Sequence, residues 1–333
     1  MIARRLRASL KGWGGVGAML VACVLTAVFA LCLPLSHATG DGSSGTGGPG
    51  LAEATQAKDD SCGPHPEQQS LPPSSDEGGP AVSAIKKRGY LSVGVDQNSY
   101  RWGYRDPNNK GSDLEGFDID LAHEIARQIL GDPNSIRFHA IPTNQRIPAI
   151  RSEQVDMVVR TMTITCDRLK EVAFSDPYFK TGQQVLAPKA SAITGYDKSL
   201  AGKKICSAEG STANTKLTED KKSSRLVASA DISTTVPNQL DCLVKLQLGE
   251  VDAVVTDGAL AASQAAQDPT VELKGKPFTT EYYGVAMKKE AKDLVRRVNQ
   301  VLVDYRKSGW QASYAKWLSQ TLGSDSASSQ PSS

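Results

Sequence analysis

Aromatic side chains are scarce in this chain, 6% of 333 residues, and there are only four histidines. Two of these, His123 and His139, fall in the stretch that reads as folded, and no Cys-x-x-Cys pair occurs anywhere. Zinc-ligand spacing is therefore missing, and no metal or cofactor is expected. An excess of one charge is missing too. The 38 Lys and Arg nearly balance the 36 Asp and Glu, for a formal net charge of +2, and no basic stripe interleaves with aromatics, so a nucleic-acid partner is excluded. Long apolar runs are absent except at the N-terminus.

That run carries a targeting signal. Arg4, Arg5, Arg7 and Lys11 precede an almost wholly apolar stretch, 19–35, which ends in Ser36-His37-Ala38, an acceptable cleavage signal. Residues 1–38 are read as a signal or anchor segment and the chain as exported. Within it, Leu20-Val21-Ala22-Cys23 resembles a lipoprotein box, yet the residues after Cys23 stay apolar, and 16–35 is long enough to remain as a membrane anchor. Lipidation at Cys23, cleavage after Ala38 and helical anchoring all stay open, giving an outer-face, membrane-associated protein or a secreted one. Residues 39–81 are rich in Gly, Ser and Pro and read as a disordered tether, and 321–333 as a disordered tail. With both ends removed, the length suits two domains.

Outside the targeting segment stand Cys62, Cys166, Cys206 and Cys242, an even number for an oxidising compartment, with three possible pairings. Cys206 and Cys242 both fall in the second half of the folded region. They are paired with each other, which leaves Cys62 with Cys166.

The stretch around which the chain is organised is VDMVVRTMTITCDR, 155–168. A buried-strand pattern breaks into Arg160, Thr161, Thr163 and then Arg168, gathering guanidiniums and hydroxyls at a strand's carboxyl end. Ligands bind there in open α/β sheets, and the planar fork of Arg matches a carboxylate. The pattern returns ninety-six residues later as VDAVVTD, 251–257, with Asp257 at the position matching Thr161. A fixed-offset echo predicts two similar lobes facing one cleft, basic on one side and acidic on the other. Such a cleft suits a zwitterion.

Around these landmarks the spacing predicts strands at 91–95 and 136–141 and a helix with Phe117, Leu121, Ile125 and Ile129 on one apolar face. Thr143-Asn144-Gln145-Arg146 opens a further helix, whose positive end favours anions. A strand through Ile205 and Cys206 runs into Gly210-Ser211-Thr212 at a helix start, a second anion cradle. It lacks the Lys of a P-loop and the three Gly of a dinucleotide site. Chain crossings near Ala187 and Tyr283 would make a hinge.

Taken together, RGYLSVGVD (88–96), EGFDIDLAHEIA (115–126), NQRIPAIRSEQVDMVV (144–159), TMTITCDR (161–168), FSDPYF (174–179), AEGST (208–212), VDAVVTD (251–257), YGVAM (283–287) and GWQASYAKWL (309–318) resemble the family-3 extracellular solute-binding proteins of polar amino-acid ABC importers. The similarity is greatest to the actinobacterial glutamate-binding lipoproteins. It implies a non-enzymatic protein of α/β, two-lobed, periplasmic-binding-protein-like fold (type II), each lobe a sheet flanked by helices, joined by a two-strand hinge. The lobes are placed at 82–186 plus 284–320 and at 187–283. By the same resemblance, Arg168 clamps an α-carboxylate with Thr163, Ser211 and Thr212. Thr161 and Asp257 meet the α-ammonium, and Arg146 meets a side-chain carboxylate. Asp96 and Thr143 line the same pocket.

Two positions depart from the family pattern. Cys166 replaces a commonly acidic residue, and Arg160 stands where many relatives have a small one. With Arg146, Arg160 and Arg168 against Asp96 and Asp257, the site would carry one net positive charge, which matches glutamate, then aspartate; glutamine or asparagine would leave a buried guanidinium unpaired. The expected partners are that ligand and ABC permease subunits, or alternatively a membrane sensor protein.

Overall fold

The computed structural model describes residues 62–108 and 113–331. Two five-stranded mixed sheets organise the chain. In the first, the strand order is Ile136–Ala140, Leu91–Val95, Met157–Val158, Ala286–Met287 and Ala173–Phe174; in the second it is Asp231–Val236, Lys204–Ala208, Ala253–Asp257, Gln183–Pro188 and Val271–Lys274. The first three strands of each are parallel, and the fourth runs antiparallel to both of its neighbours.

The sequence echo marks this repetition. Val93 pairs with Met157 and Gly94 with Val158 in one sheet, as Ile205 pairs with Ala253 and Cys206 with Val254 in the other. Each copy of the V-D-x-V-V run is thus the central strand of its sheet, between a parallel and an antiparallel neighbour. Burial on both faces of such a strand accounts for its continuous apolar pattern. Both copies end at the cleft.

Between the sheets runs a ribbon in which Phe179–Thr181 pairs antiparallel with Glu281–Tyr283. The first crossing lies here, some residues before Ala187. Gln183–Pro188, which would extend the first lobe by the expected boundary at 186, belongs to the second sheet, because it pairs with Val254 to Asp257 and with Val271 to Lys274. An apolar strand at a crossing carries no mark of which sheet it joins; its partners decide. A cluster of the described aromatics packs at the ribbon. Trp102 packs edge-on to Phe179 at 4.8 Å, and Phe179 stacks on Tyr283 at 5.8 Å, above Phe117 and Trp310.

Helix Phe117–Leu130 buries Phe117, Leu121, Ile125 and Ile129 as its spacing predicts, and helix Lys292–Tyr305 packs beside it. The second lobe is stapled internally by Cys206–Cys242, with a Cα separation of 5.6 Å, inside an apolar cluster that includes Leu186, Val236 and Val254.

The N-terminal segment differs from expectation. From Cys62 onward it lies on the first lobe, where Cys62 is joined to Cys166, Ser70 Oγ donates to the Phe174 carbonyl at 2.8 Å, and Asn299 Nδ2 donates to the Leu71 carbonyl at 2.6 Å. A crosslink and a buried amide hold it, neither of which registers in an apolar count. The tail is also engaged, since Lys180 N–H on the ribbon donates to the Ser329 carbonyl at 2.8 Å. Cys23, the apolar stretch and 39–61 lie outside the described residues. Among the described residues no helix is long and apolar enough to cross a membrane.

Candidate ligand-binding site

At the carboxyl end of its central strand the first lobe turns through Arg160 and Thr161, and Thr161 adopts φ of +40°. For a β-branched residue this is a strained conformation. Its amide donates to Asp118 Oδ2 at 3.0 Å, and the Tyr178 hydroxyl donates to the other oxygen of that carboxyl at 2.8 Å. Burial pushes the Asp118 carboxyl up to about 7. Asp118 lies on the first turn of helix Phe117–Leu130, so that helix fixes the loop bearing the candidate residues.

Helix Cys166–Glu171 places Arg168. Thr165 caps it, its hydroxyl accepting from the Arg168 amide at 3.3 Å, and the guanidinium turns back to donate to the Thr163 carbonyl at 2.6 Å. Arg146 starts helix Arg146–Arg151 and is almost wholly buried. It donates to the carbonyls of Thr143 at 2.9 Å, Arg160 at 3.3 Å and Thr161 at 3.4 Å. Both arginines also reach the second lobe, where the Gly210 carbonyl accepts from Arg146 Nη2 at 3.2 Å and from Arg168 Nη2 at 3.0 Å. Burial pulls both guanidinium pKa values below the usual range, and for Arg146 the neighbouring Arg168 and Arg160 add to that pull.

The second lobe answers with a helix start and a carboxylate. Ser211 caps helix Thr212–Lys222, its hydroxyl accepting from the Asn214 amide at 3.1 Å. Thr212 Oγ1 accepts from Gln183 Nε2 at 2.9 Å, and the same amide nitrogen donates to Asp257 Oδ1. The other Asp257 oxygen accepts from the Tyr283 hydroxyl. Burial pushes the Asp257 carboxyl up to about 7, and the nearby Glu281 charge raises it further against the pull of Tyr283, Arg146 and Arg168.

Arg146, Thr161, Thr163, Arg168, Ser211, Thr212 and Asp257 all line one internal space, together with Gln183, Ala213, Gln239 and Thr256. Its volume is about 10 Å³, room for about one water. Through Thr163, Arg168 and Thr212 it borders a mouth of about 700 Å³, edged by His65 and Glu67 of the N-terminal segment and by Lys216. An amino acid can enter only if the lobes part.

Three of the expected pocket residues stand behind this space. Arg160 is fully buried in an ion pair with Asp96, at 2.9 Å, and its Nη1 donates to Thr143 Oγ1 at 3.0 Å. None of the three lines the cavity. The paired Arg160 and Asp96 cancel, so with Asp257 ionised the lining still carries one net positive charge, now from two guanidiniums and one carboxylate. Gln183, Gln239 and Tyr283 were not legible as site residues. Two amides opening an apolar strand, Gln183 and Gln184, were the only signal for the first.

Residues 91–320 match the bacterial extracellular solute-binding proteins, family 3. The glutamine-binding protein GlnH of a Bacillus subtilis ABC transporter is 34% identical over 238 residues, covering 71% of this chain and 84% of the relative. The glutamate-binding protein GluB of Corynebacterium efficiens is 27% identical, covering 75% and 84%. Among solved structures, the solute receptor for L-cysteine of Neisseria gonorrhoeae superposes with a TM-score of 0.69 at 27% identity, covering 75% of this chain and 99% of that one.

Proposed function

This chain belongs to the bacterial extracellular solute-binding proteins of family 3, which bind and do not transform their solutes, and we propose that it binds an acidic amino acid, glutamate before aspartate, and presents it to an ABC permease. The observation that carries this reading is the lining of the inner space. Two buried guanidiniums and one carboxylate face it, and a ligand with two carboxylates and one ammonium answers all three. Leaving either guanidinium without an anion once the lobes have closed over it would cost several kcal/mol, about 3–5 for a broken buried pair.

In this reading Arg168 takes the α-carboxylate, supported by Thr163 and by the helix start at Ser211 and Thr212. Asp257 takes the ammonium, with Thr161 beside it, and Arg146 takes the distal carboxylate. Asp96, Thr143 and Arg160 support the pocket from behind. The lobes divide on the ribbon at 179–181 and 281–283 and close as bodies around the ligand. Outside the membrane, Cys23 or the apolar N-terminal stretch supplies the attachment.

A second reading is favoured by the higher identity to the glutamine-binding relative and by the carbonyls that already occupy most Arg146 donors: an amide side chain in place of the distal carboxylate. Calorimetric titration with L-glutamate, L-aspartate, L-glutamine and L-asparagine separates the two. Tight glutamate with weak glutamine supports the acidic reading, and the reverse order replaces it. Arg168→Ala should weaken the preferred ligand at least about a hundredfold; unchanged affinity would remove Arg168 from the site.

A further inference from the structure

Arg160 has the composition of a ligand-reading residue and the position of something else. Its charge is answered within its own lobe by Asp96, a carboxyl itself held by the Ser99 hydroxyl at 2.8 Å and the amides of Gln97 and Asn98 at 2.8 and 3.0 Å. That pair needs neither ligand nor second lobe. Yet Arg160 Nη2 also donates across the cleft to Asn238 Oδ1 at 3.2 Å. Beside it, the Thr143 amide donates to the Pro237 carbonyl at 3.0 Å, and the Thr143 hydroxyl donates to Gln239 Oε1 at 3.1 Å while accepting from Arg160.

On the far side, Asn238 caps helix Gln239–Gln247 in a reciprocal capping box with Asp241, and the Gln239 backbone carbonyl, though not its side-chain oxygen, is held by Gln264 Nε2 at 2.9 Å. Gln239 also lines the ligand space, although Arg160 does not. The Arg160 contact to Asn238 therefore exists only when the lobes meet, and separating them leaves Arg160 still paired with Asp96 and Thr143 and Asn238 still within its capping box. An interaction present in the closed state alone shifts the open–closed equilibrium by its full worth.

We propose that Arg160 and Thr143 on the first lobe and Pro237 and Asn238 on the second form a closure latch, a set of positioning residues that slows release of the bound amino acid from outside the ligand space, with Gln239 joining the latch to that space. This rests on the binding function proposed above. Asn238→Ser tests it, because serine keeps the helix cap but is too short to reach Arg160. In stopped flow with whichever of L-glutamate, L-aspartate, L-glutamine and L-asparagine the wild-type chain binds tightest, the dissociation rate should rise about tenfold, with association changed by no more than about twofold, the loss expected for a hydrogen bond to a charged group. The melting temperature of the ligand-free variant should match wild type, whereas Asn238→Ala, which loses the cap as well, should melt lower. Unchanged dissociation in Asn238→Ser beside a binding-competent wild type overturns the latch alone. A loss confined to association, or matched by an equal loss of ligand-free stability, also overturns it. A wild-type chain that binds none of the four overturns the functional reading and the latch together.

Discussion

Gly210 on the second lobe lies so close to Asn144 on the first that a β-carbon added to it would sit 2.8 Å from the Asn144 Cα. Its φ is +74°, in the left-handed region that glycine adopts freely, and its carbonyl is the one that meets both Arg146 and Arg168. This close approach of the lobes therefore depends on a residue without a side chain. Gly210→Ala should fold, since opening the cleft removes the clash and the remaining backbone strain is about 1 kcal/mol. It should not close. The expected result is a solution-scattering profile that no longer contracts on adding ligand, with affinity reduced by at least about tenfold, the equivalent of roughly 1.4 kcal/mol. Wild-type affinity and contraction would show that the lobes meet in some other arrangement.

The parts of this arrangement that could be read from the residues are those governed by period and chemistry. The repeated V-D-x-V-V run marks two central strands because a strand buried on both faces must be apolar throughout, and the four-residue spacing from Phe117 to Ile129 fixes a helix face. Arg146, Arg168 and Asp257 could be singled out because Arg146 opens a helix, Asp257 ends the repeated strand and Arg168 follows the first copy of it, and their roles came from the family resemblance. Arg160 could not be sorted from them. Only the fold shows Asp96 within 2.9 Å, and an arginine answered by a neighbour is indistinguishable in sequence from one awaiting a ligand. Gln183 and Tyr283 escaped notice for a related reason: their work is to orient Asp257 across a strand pairing and a chain crossing that periodicity does not encode. Composition misjudged the segment after Cys62, because a covalent bond and polar contacts to Asn299 hold what apolar burial would not.

Asp257 gives the binding reaction a pH dependence of definite sign. Its carboxyl is pushed up to about 7, chiefly by burial, while the ammonium it is proposed to meet requires the ionised form. Pairing with that ammonium lowers the carboxyl's pKa in the complex, so binding near or below neutrality releases a proton. Affinity should be flat above pH about 8 and fall as the pH drops through about 7, by up to about tenfold per unit until the carboxyl in the complex begins to protonate. Calorimetry at pH 6.5 in buffers of different ionisation enthalpy reads the proton directly. A binding heat independent of the buffer would mean that Asp257 is ionised before the ligand arrives or does not meet the ammonium.

The two disulfides should respond in opposite order to what loop length alone dictates. Cys62 and Cys166 are 104 residues apart and Cys206 and Cys242 only 36, so on chain entropy the first bridge should be worth about 1 kcal/mol more. Their surroundings reverse this. Cys206 and Cys242 are fully buried among Leu186, Val236, Leu243 and Val254, so replacing both with alanine also leaves unfilled space in the second lobe. Replacing Cys62 and Cys166 releases little. Contacts from Ser70 to Phe174 and from Leu71 and Ser70 to Asn299 still hold the chain from residue 70 onward, and the few residues before it regain freedom in the native state, which offsets part of what the bridge contributed. The double alanine variant at 62 and 166 should therefore lose less melting temperature than the one at 206 and 242, and limited proteolysis of it should nick N-terminal to Ser70 without cutting the lobes. Partial exposure of Cys166 also lets a thiolate reach this bridge first, so mild reduction followed by alkylation and mass mapping should label Cys62 and Cys166 before Cys206 and Cys242. Equal labelling of all four cysteines, or a larger stability loss at 62 and 166, would mean that the segment after Cys62 is an integral wall of the first lobe, not a strap laid along it.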